Sequence, residues 1–257
     1  QGLLVASESY APGAPLVVSS GRFGAPFPEA RADLRHAVDW LIRFHRALAG
    51  EPGRWSEAIA GRAAARLERC RGLLAPASPA HPLLEGAARA SLRLTGQPIP
   101  LVPLHNDLGP WNLHRDGDRV TAIDWELGAG DVAQRTGAGP CDLFYFTTYW
   151  YFRVRHQGSD SAELRGLREL FVRPDGGGRA AESVREEIAR YAEALEVQRP
   201  FLPLLLALTW AERALDWLER TSIGHQGTAG APRNRYVRYL EVLAERTGPW
   251  LTEERWP

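Results

Sequence analysis

Three prolines, Pro98, Pro103 and Pro110, fall within one short stretch of a chain otherwise patterned for helices. Proline lacks the N–H that a helix interior needs and its ring clashes with the preceding turn, so no long helix crosses this stretch. Beyond Pro110 the pattern alternates instead. Arg119-Val120-Thr121-Ala122-Ile123 puts polar and apolar side chains on opposite faces, as a strand does, and Asp116-Gly117-Asp118 before it is a turn signal. The spacing predicts a β-hairpin set into a helical domain. With Gly117-Asp118 as the turn, Asp116 pairs with Arg119, and counting outward sets Asn112 opposite Ile123, one step from Asp124. An amide oxygen and a carboxylate then meet at one end of two adjacent strands.

The flanking sequence reads as helix. Leu34, Ala37, Val38, Leu41, Ile42 and Leu48 recur at helical spacing with His45 on the same face, which predicts a helix over 33–48 after a loop running through Pro28. Further helices are expected over 56–74, 84–94, 183–195, 201–220 and 235–246, the helix over 201–220 mostly buried through Leu204, Leu205, Leu208, Ala211, Leu215 and Leu218. Residues 3–9 read as a strand closed by a turn at Ala11-Pro12-Gly13. The aromatic run from Phe144 to Phe152 has helical spacing and reads as core, with a cage for a quaternary ammonium group as the alternative. The fold class expected is mainly α with a small β-hairpin.

Composition removes several classes of function. A chain of 257 residues, 44% hydrophobic, is long enough for a large apolar core. Basic and acidic residues balance at 31 each, so charge gives no reason to expect nucleic acid or an anionic membrane as partner. The longest apolar stretch, 201–210, is too short to span a bilayer and contains Pro203. Cys70 and Cys141 form neither a disulfide framework nor a zinc spacing, and no basic-then-apolar leader opens the sequence; a cytoplasmic setting is expected. Every basic residue is arginine, the chain has neither lysine nor methionine, and it starts at Gln1. It therefore reads as a piece of a longer protein.

The chemistry concentrates in His105-Asn106-Asp107-Leu108-Gly109-Pro110-Trp111-Asn112 and Ile123-Asp124-Trp125-Glu126. Oxygen donors such as Asn112 and Asp124 suit magnesium, which shares its coordination among a few protein groups, water and phosphate. Asp107, on the loop feeding the hairpin, is a separate carboxylate able to orient and deprotonate a hydroxyl. Metal clamp and base, with little covalent work by the protein, is the logic of kinase phosphoryl transfer. A two-carboxylate hydrolase using Asp107 and Asp124 leaves Asn112 without a role. Asp116 and Asp118 read as turn-formers and Asp131 as a loop cap.

These pieces resemble the aminoglycoside phosphotransferase and choline kinase family, relatives of the protein kinases. His105-x-Asp107-x-x-x-x-Asn112 resembles its catalytic loop and residues 123–126 its metal-binding segment. The resemblance implies Asp107 as catalytic base, Asn112 and Asp124 as magnesium ligands, and Glu126 at a second metal position or in solvent. It implies structural roles for His105 and for Asp142, the latter bracing the catalytic loop from Cys141-Asp142-Leu143. Glu8-Ser9-Tyr10 and the turn after it resemble the strand linking two lobes, so Glu8 and Tyr10 lie on the nucleotide side. Residues 1–16 are then the hinge-like end of an N-terminal lobe and 17–257 a protein-kinase-like C-terminal lobe, α+β in the full-length protein. The C-terminal helices of such kinases line the acceptor pocket, which makes Glu212 and Asp216 candidates; on the residues alone they read as an exposed acidic face.

The activity implied is transfer of the γ-phosphate of ATP, with Mg2+, to a hydroxyl of a small molecule: an aminoglycoside, aminosugar, choline-like alcohol or sugar. There are departures. Asn106 stands where a glycine is common, and Trp111 where a small or polar residue is usual. Gly21-Arg22-Phe23-Gly24 is too short and too late for a phosphate loop. The strand-rich lobe with its phosphate-pairing lysine is expected upstream, and this segment alone is expected to be a poor catalyst. A kinase-like binding or scaffold module without turnover is the alternative.

Overall fold

The structure, a computed structural model, describes residues 11–16, 27–49, 53–125, 136–155, 158–173, 176–224 and 234–246. The helical spacing read from residue 33 belongs to a longer helix, α1 (Phe27–Leu48), whose face of Leu34, Ala37, Val38, Leu41, Ile42 and His45 is buried. It begins earlier than the sequence pattern suggests, because Pro28 sits in the first turn, where a missing N–H costs no hydrogen bond. Next comes α2 (Glu57–Leu73), capped by Ser56, whose hydroxyl accepts from the Ile59 N–H at 3.4 Å. Helix α3 (His81–Arg93) again carries proline in its first turn. These two lie side by side and pack on α7 (Phe201–Gly224).

Five short strands complete the described β structure: β1 (Ala14–Pro15) ahead of α1, then β2 (Leu101–Pro103), β3 (Leu113–Asp116), β4 (Arg119–Ala122) and β5 (Thr136–Ala138) after α3. The hairpin register is the one counted from the turn: Asp116 pairs with Arg119 and Leu113 with Ala122. The Ile123 N–H then donates to the Asn112 carbonyl at 2.9 Å, which carries the pairing one residue past the strands. The hairpin does not stand alone. β1 adds to it, antiparallel, through Ala14↔Arg115 and Pro15↔His114, while β2 pairs with β5. Gly13 makes the β1 contact feasible. Its φ is +88°, and a Cβ there would lie 2.2 Å from the Arg115 carbonyl oxygen. Arg115 also reaches the buried Asp33 of α1 at 2.5 Å, tying the sheet to the helical body.

The second half is helical: α4 (Pro140–Val154), α5 (Asp160–Leu167) running into a π-turn at Arg168–Val172, α6 (Gly178–Ala194), α7 and α8 (Arg235–Ala244). The aromatic run lies in α4, which is buried almost all round, and its Trp150, Tyr151, Phe144 and Phe146 are among the largest buried side chains. Core packing is thus the main role of the run, and one edge of the helix, through Tyr145, Tyr149 and Phe152, lines a cleft. Cys70 and Cys141 are free thiols, and burial pushes each up to about 12, which leaves them protonated and unreactive at neutral pH. No helix among the described residues is long and apolar enough to cross a membrane.

Candidate active site

Residues 104–112 form an irregular loop between β2 and β3, and α4 holds its shape. Asp142, in the first turn of α4, accepts two backbone N–H bonds from the loop: His105 N–H at 2.7 Å and Asn106 N–H at 3.0 Å. Burial raises the Asp142 carboxyl above the usual range, and those two N–H donors pull it back toward the ionised form. The His105 ring is buried, bonded at 2.8 Å to the Ile123 carbonyl and packed 4.6 Å from the Trp125 ring. His105 and Asp142 thus fasten the loop to the hairpin on one side and to α4 on the other.

Asp107 sits between them with both carboxylate oxygens engaged. Oδ1 accepts from the Tyr145 hydroxyl at 2.6 Å, and Oδ2 from the Asn112 side-chain amide at 3.1 Å. The same amide nitrogen donates to the Asp107 carbonyl at 2.9 Å. The nitrogen of Asn112 is thus turned toward Asp107, while its backbone carbonyl accepts from Ile123, the residue before Asp124. Asp124 is exposed and has a left-handed backbone, φ 57°, a conformation Asp tolerates better than most residues. The donor set is oxygen only, as magnesium requires. Among the described residues no three His, Cys, Asp or Glu side chains gather into a metal cage, so a cation here would need ligands from phosphate and water. Glu126, Glu8, Tyr10 and Asp131 lie outside the described residues.

Two clefts flank the loop. The first, of about 660 Å³, is walled by Trp111, Tyr145, Tyr149, Phe152 and Tyr236, with Asp160 and Glu163 among its polar groups. Glu163 accepts from the Tyr239 hydroxyl, and Asp160 meets Arg238 at 3.3 Å. Trp111 meets Tyr149 edge-on at 5.1 Å, and its indole N–H points at Asp107 Oδ2 from 3.4 Å. The second, also about 660 Å³, lies on the Asn106 side between α2 and α7, and there Glu212 and Asp216 appear. Arg66 of α2 pairs with both, with Asp216 at 3.1 Å and more closely with Glu212. Burial raises the Glu212 carboxyl, which Arg66 counteracts.

A model of the phosphotransferase enzyme family matches residues 9–135, a span holding the loop, the hairpin and Asp124. Over this segment the chain is similar to the phosphotransferase enzyme family. No curated protein matches the chain. Among solved structures, one crystal form of glucosamine kinase superposes with TM-score 0.53 at 15% identity, covering 91% of this chain and 59% of that one. Glucosamine kinase in complex with glucosamine, ADP and inorganic phosphate gives TM-score 0.52 at 15% identity, covering 88% and 58%. At such identity the likeness is one of fold: a kinase-like lobe, mostly helical with a small sheet. The chain spans about three-fifths of the length of these kinases.

The two departures from the phosphotransferase pattern have local causes. Asn106 has φ 68°, the left-handed conformation that makes glycine common at this position, and asparagine is among the few side chains that accept it. The bulk of Trp111 is accommodated by Gly109, where a Cβ would lie 2.2 Å from the indole ring. Sequence reading singled out neither Tyr145 nor Arg213. Tyr145 follows Asp142 by one helical turn, so both reach the loop from one face of α4; that spacing was the available signal.

Proposed function

We propose that this chain is the larger lobe of a small-molecule kinase, with Asp107 as base and Asn112 and Asp124 as its magnesium ligands. The observation carrying it is the Asp107 carboxylate: fixed by Tyr145 and Asn112, it is bonded to Tyr145 and faced by Trp111, two of the side chains that wall the aromatic cleft. In the transfer, the acceptor oxygen forms a bond to the γ-phosphorus of ATP, the bond to the bridging oxygen breaks, and the nucleoside diphosphate leaves. The hydroxyl proton goes to Asp107. Magnesium, held by the Asn112 amide oxygen and the Asp124 carboxylate, would offset charge on the phosphates.

The aromatic cleft suits the acceptor better than the second one. Its aromatic walls can take the carbon face of a sugar ring, and the carboxylates of Asp160 and Glu163 keep acceptor capacity for hydroxyls or an amine. In the second cleft Glu212 and Asp216 share a single arginine, Arg66, which also lines it. The fold likeness to glucosamine kinase supports an aminosugar or related polyol as acceptor. The test is Asp107→Ala in the intact protein. Transfer should fall by at least ~10²-fold, the scale of general-base catalysis, while nucleotide binding persists. Undiminished transfer would remove Asp107 as base. Parent protein that binds nucleotide and never transfers phosphate would instead favour a kinase-like binding module.

A further inference from the structure

Asp107 is one end of a chain of contacts that runs across the loop and ends on α7. The Tyr145 hydroxyl donates to Asp107 Oδ1 at 2.6 Å. Over the face of the same ring lies the Arg213 guanidinium, its central carbon 3.9 Å from the ring centroid. Arg213 also donates to the Asn106 carbonyl, the peptide immediately before Asp107, and to the Thr209 carbonyl at 3.2 Å. One arginine therefore clamps both the tyrosine that touches the carboxylate and the left-handed residue that aims it. A cation over a ring face is attracted by the ring's electron density, which favours this stacked placement.

We propose that Tyr145 and Arg213 act together as positioning residues for Asp107, fixing the orientation in which its carboxylate meets the acceptor hydroxyl. Oδ1 is held by the phenol and Oδ2 by the Asn112 amide and the Trp111 indole N–H, so the Tyr145 bond sets the rotation of the carboxylate. Burial holds the Tyr145 hydroxyl above the ordinary phenol range, so it remains protonated and acts as a donor at any pH where a kinase works. The arrangement differs from the Asp142 brace, which holds the loop backbone and does not touch the Asp107 carboxylate.

The inference rests on Asp107 being the base, and the experiment separates the two. Tyr145→Phe keeps the ring, its packing and the Arg213 contact, and removes only the hydroxyl. In the intact protein kcat should drop about tenfold, the equivalent of about 1.4 kcal/mol, with acceptor KM and nucleotide affinity within about twofold of parent. Arg213→Ala should lower kcat similarly and Arg213→Lys should restore part of it. The double variant should lose less than the product of the single losses, since both act through one carboxylate. Thermal unfolding of each variant checks that the fold survives. Unchanged kcat in Tyr145→Phe, or a loss confined to acceptor KM, overturns the proposal and makes Tyr145 a cleft wall only. Transfer that survives Asp107→Ala overturns the base assignment itself.

Discussion

Replacing Asp142 tests how firmly the loop is held. Its carboxylate is buried and accepts the His105 and Asn106 N–H groups at 2.7 and 3.0 Å. Asp142→Ala leaves two such donors without a partner. An unmade buried hydrogen bond costs ~1–3 kcal/mol, so the loss is ~2–6 kcal/mol, less what is regained by no longer burying a carboxylate. A domain holds only ~5–15 kcal/mol in all, so the alanine variant sits near the edge of folding. Asp142→Asn is the sharper instrument. Its amide oxygen can replace one acceptor, but its NH2 then faces the other N–H donor, so one bond is lost at ~1–3 kcal/mol. The assay is denaturant unfolding, where a lower midpoint at unchanged slope reports stability, paired with initial rates under conditions where the variant is still folded. Turnover should fall more than nucleotide affinity, because the loop that aims Asp107 loosens while Asp124 stays on the hairpin. An Asn variant with parental midpoint and parental kcat would refute the brace.

Two more outcomes rest on the geometry. His45 is buried in α1 with Nδ1 2.5 Å from the Tyr191 hydroxyl, and burial lowers its pKa to about 3. The unfolded chain, near the usual 6.5, therefore takes up the proton first as pH falls, so stability is full above about pH 6.5 and is lost toward pH 3; between about pH 7 and pH 5 the loss is ~2 kcal/mol. His45→Gln should remove that part of the pH dependence, and parallel stability profiles for parent and variant would count against it. Asp124→Asn should weaken magnesium-dependent nucleotide binding by ~10-fold, about 1.4 kcal/mol, with little change in the absence of magnesium. Calorimetric titration reads both.

Much of the site was legible because its spacing is local. A two-residue turn at Gly117-Asp118 fixes the pairing of every residue outward from it, and so the meeting of Asn112 with the strand that leads into Asp124 comes from counting. The helix faces of α1 and α7 were legible for the same reason, a periodic apolar pattern facing one core. Helix α4 was harder to bound: buried almost all round, its apolar run carries no polar face to set a period. The sequence also could not say which side of the loop Glu212 and Asp216 face, since their partner Arg66 comes from a helix far away in the chain.

The sequence by itself determined the order of the residues in the loop and the register of the hairpin, which sets Asn112 opposite Ile123, one residue before Asp124. Only the tertiary structure decided what holds Asp107. Beyond the Asp142 brace already implied by the motif, its fasteners are Tyr145 on α4 and Arg213 on α7, from helices more than thirty residues downstream. Hydrogen bonds across such separations are set by how helices pack, and no local period records them. Tertiary structure likewise placed two pairs of acids in separate clefts: Glu212 and Asp216 with Arg66 in one, and Asp160 with Arg238 and Glu163 with Tyr239 in the other.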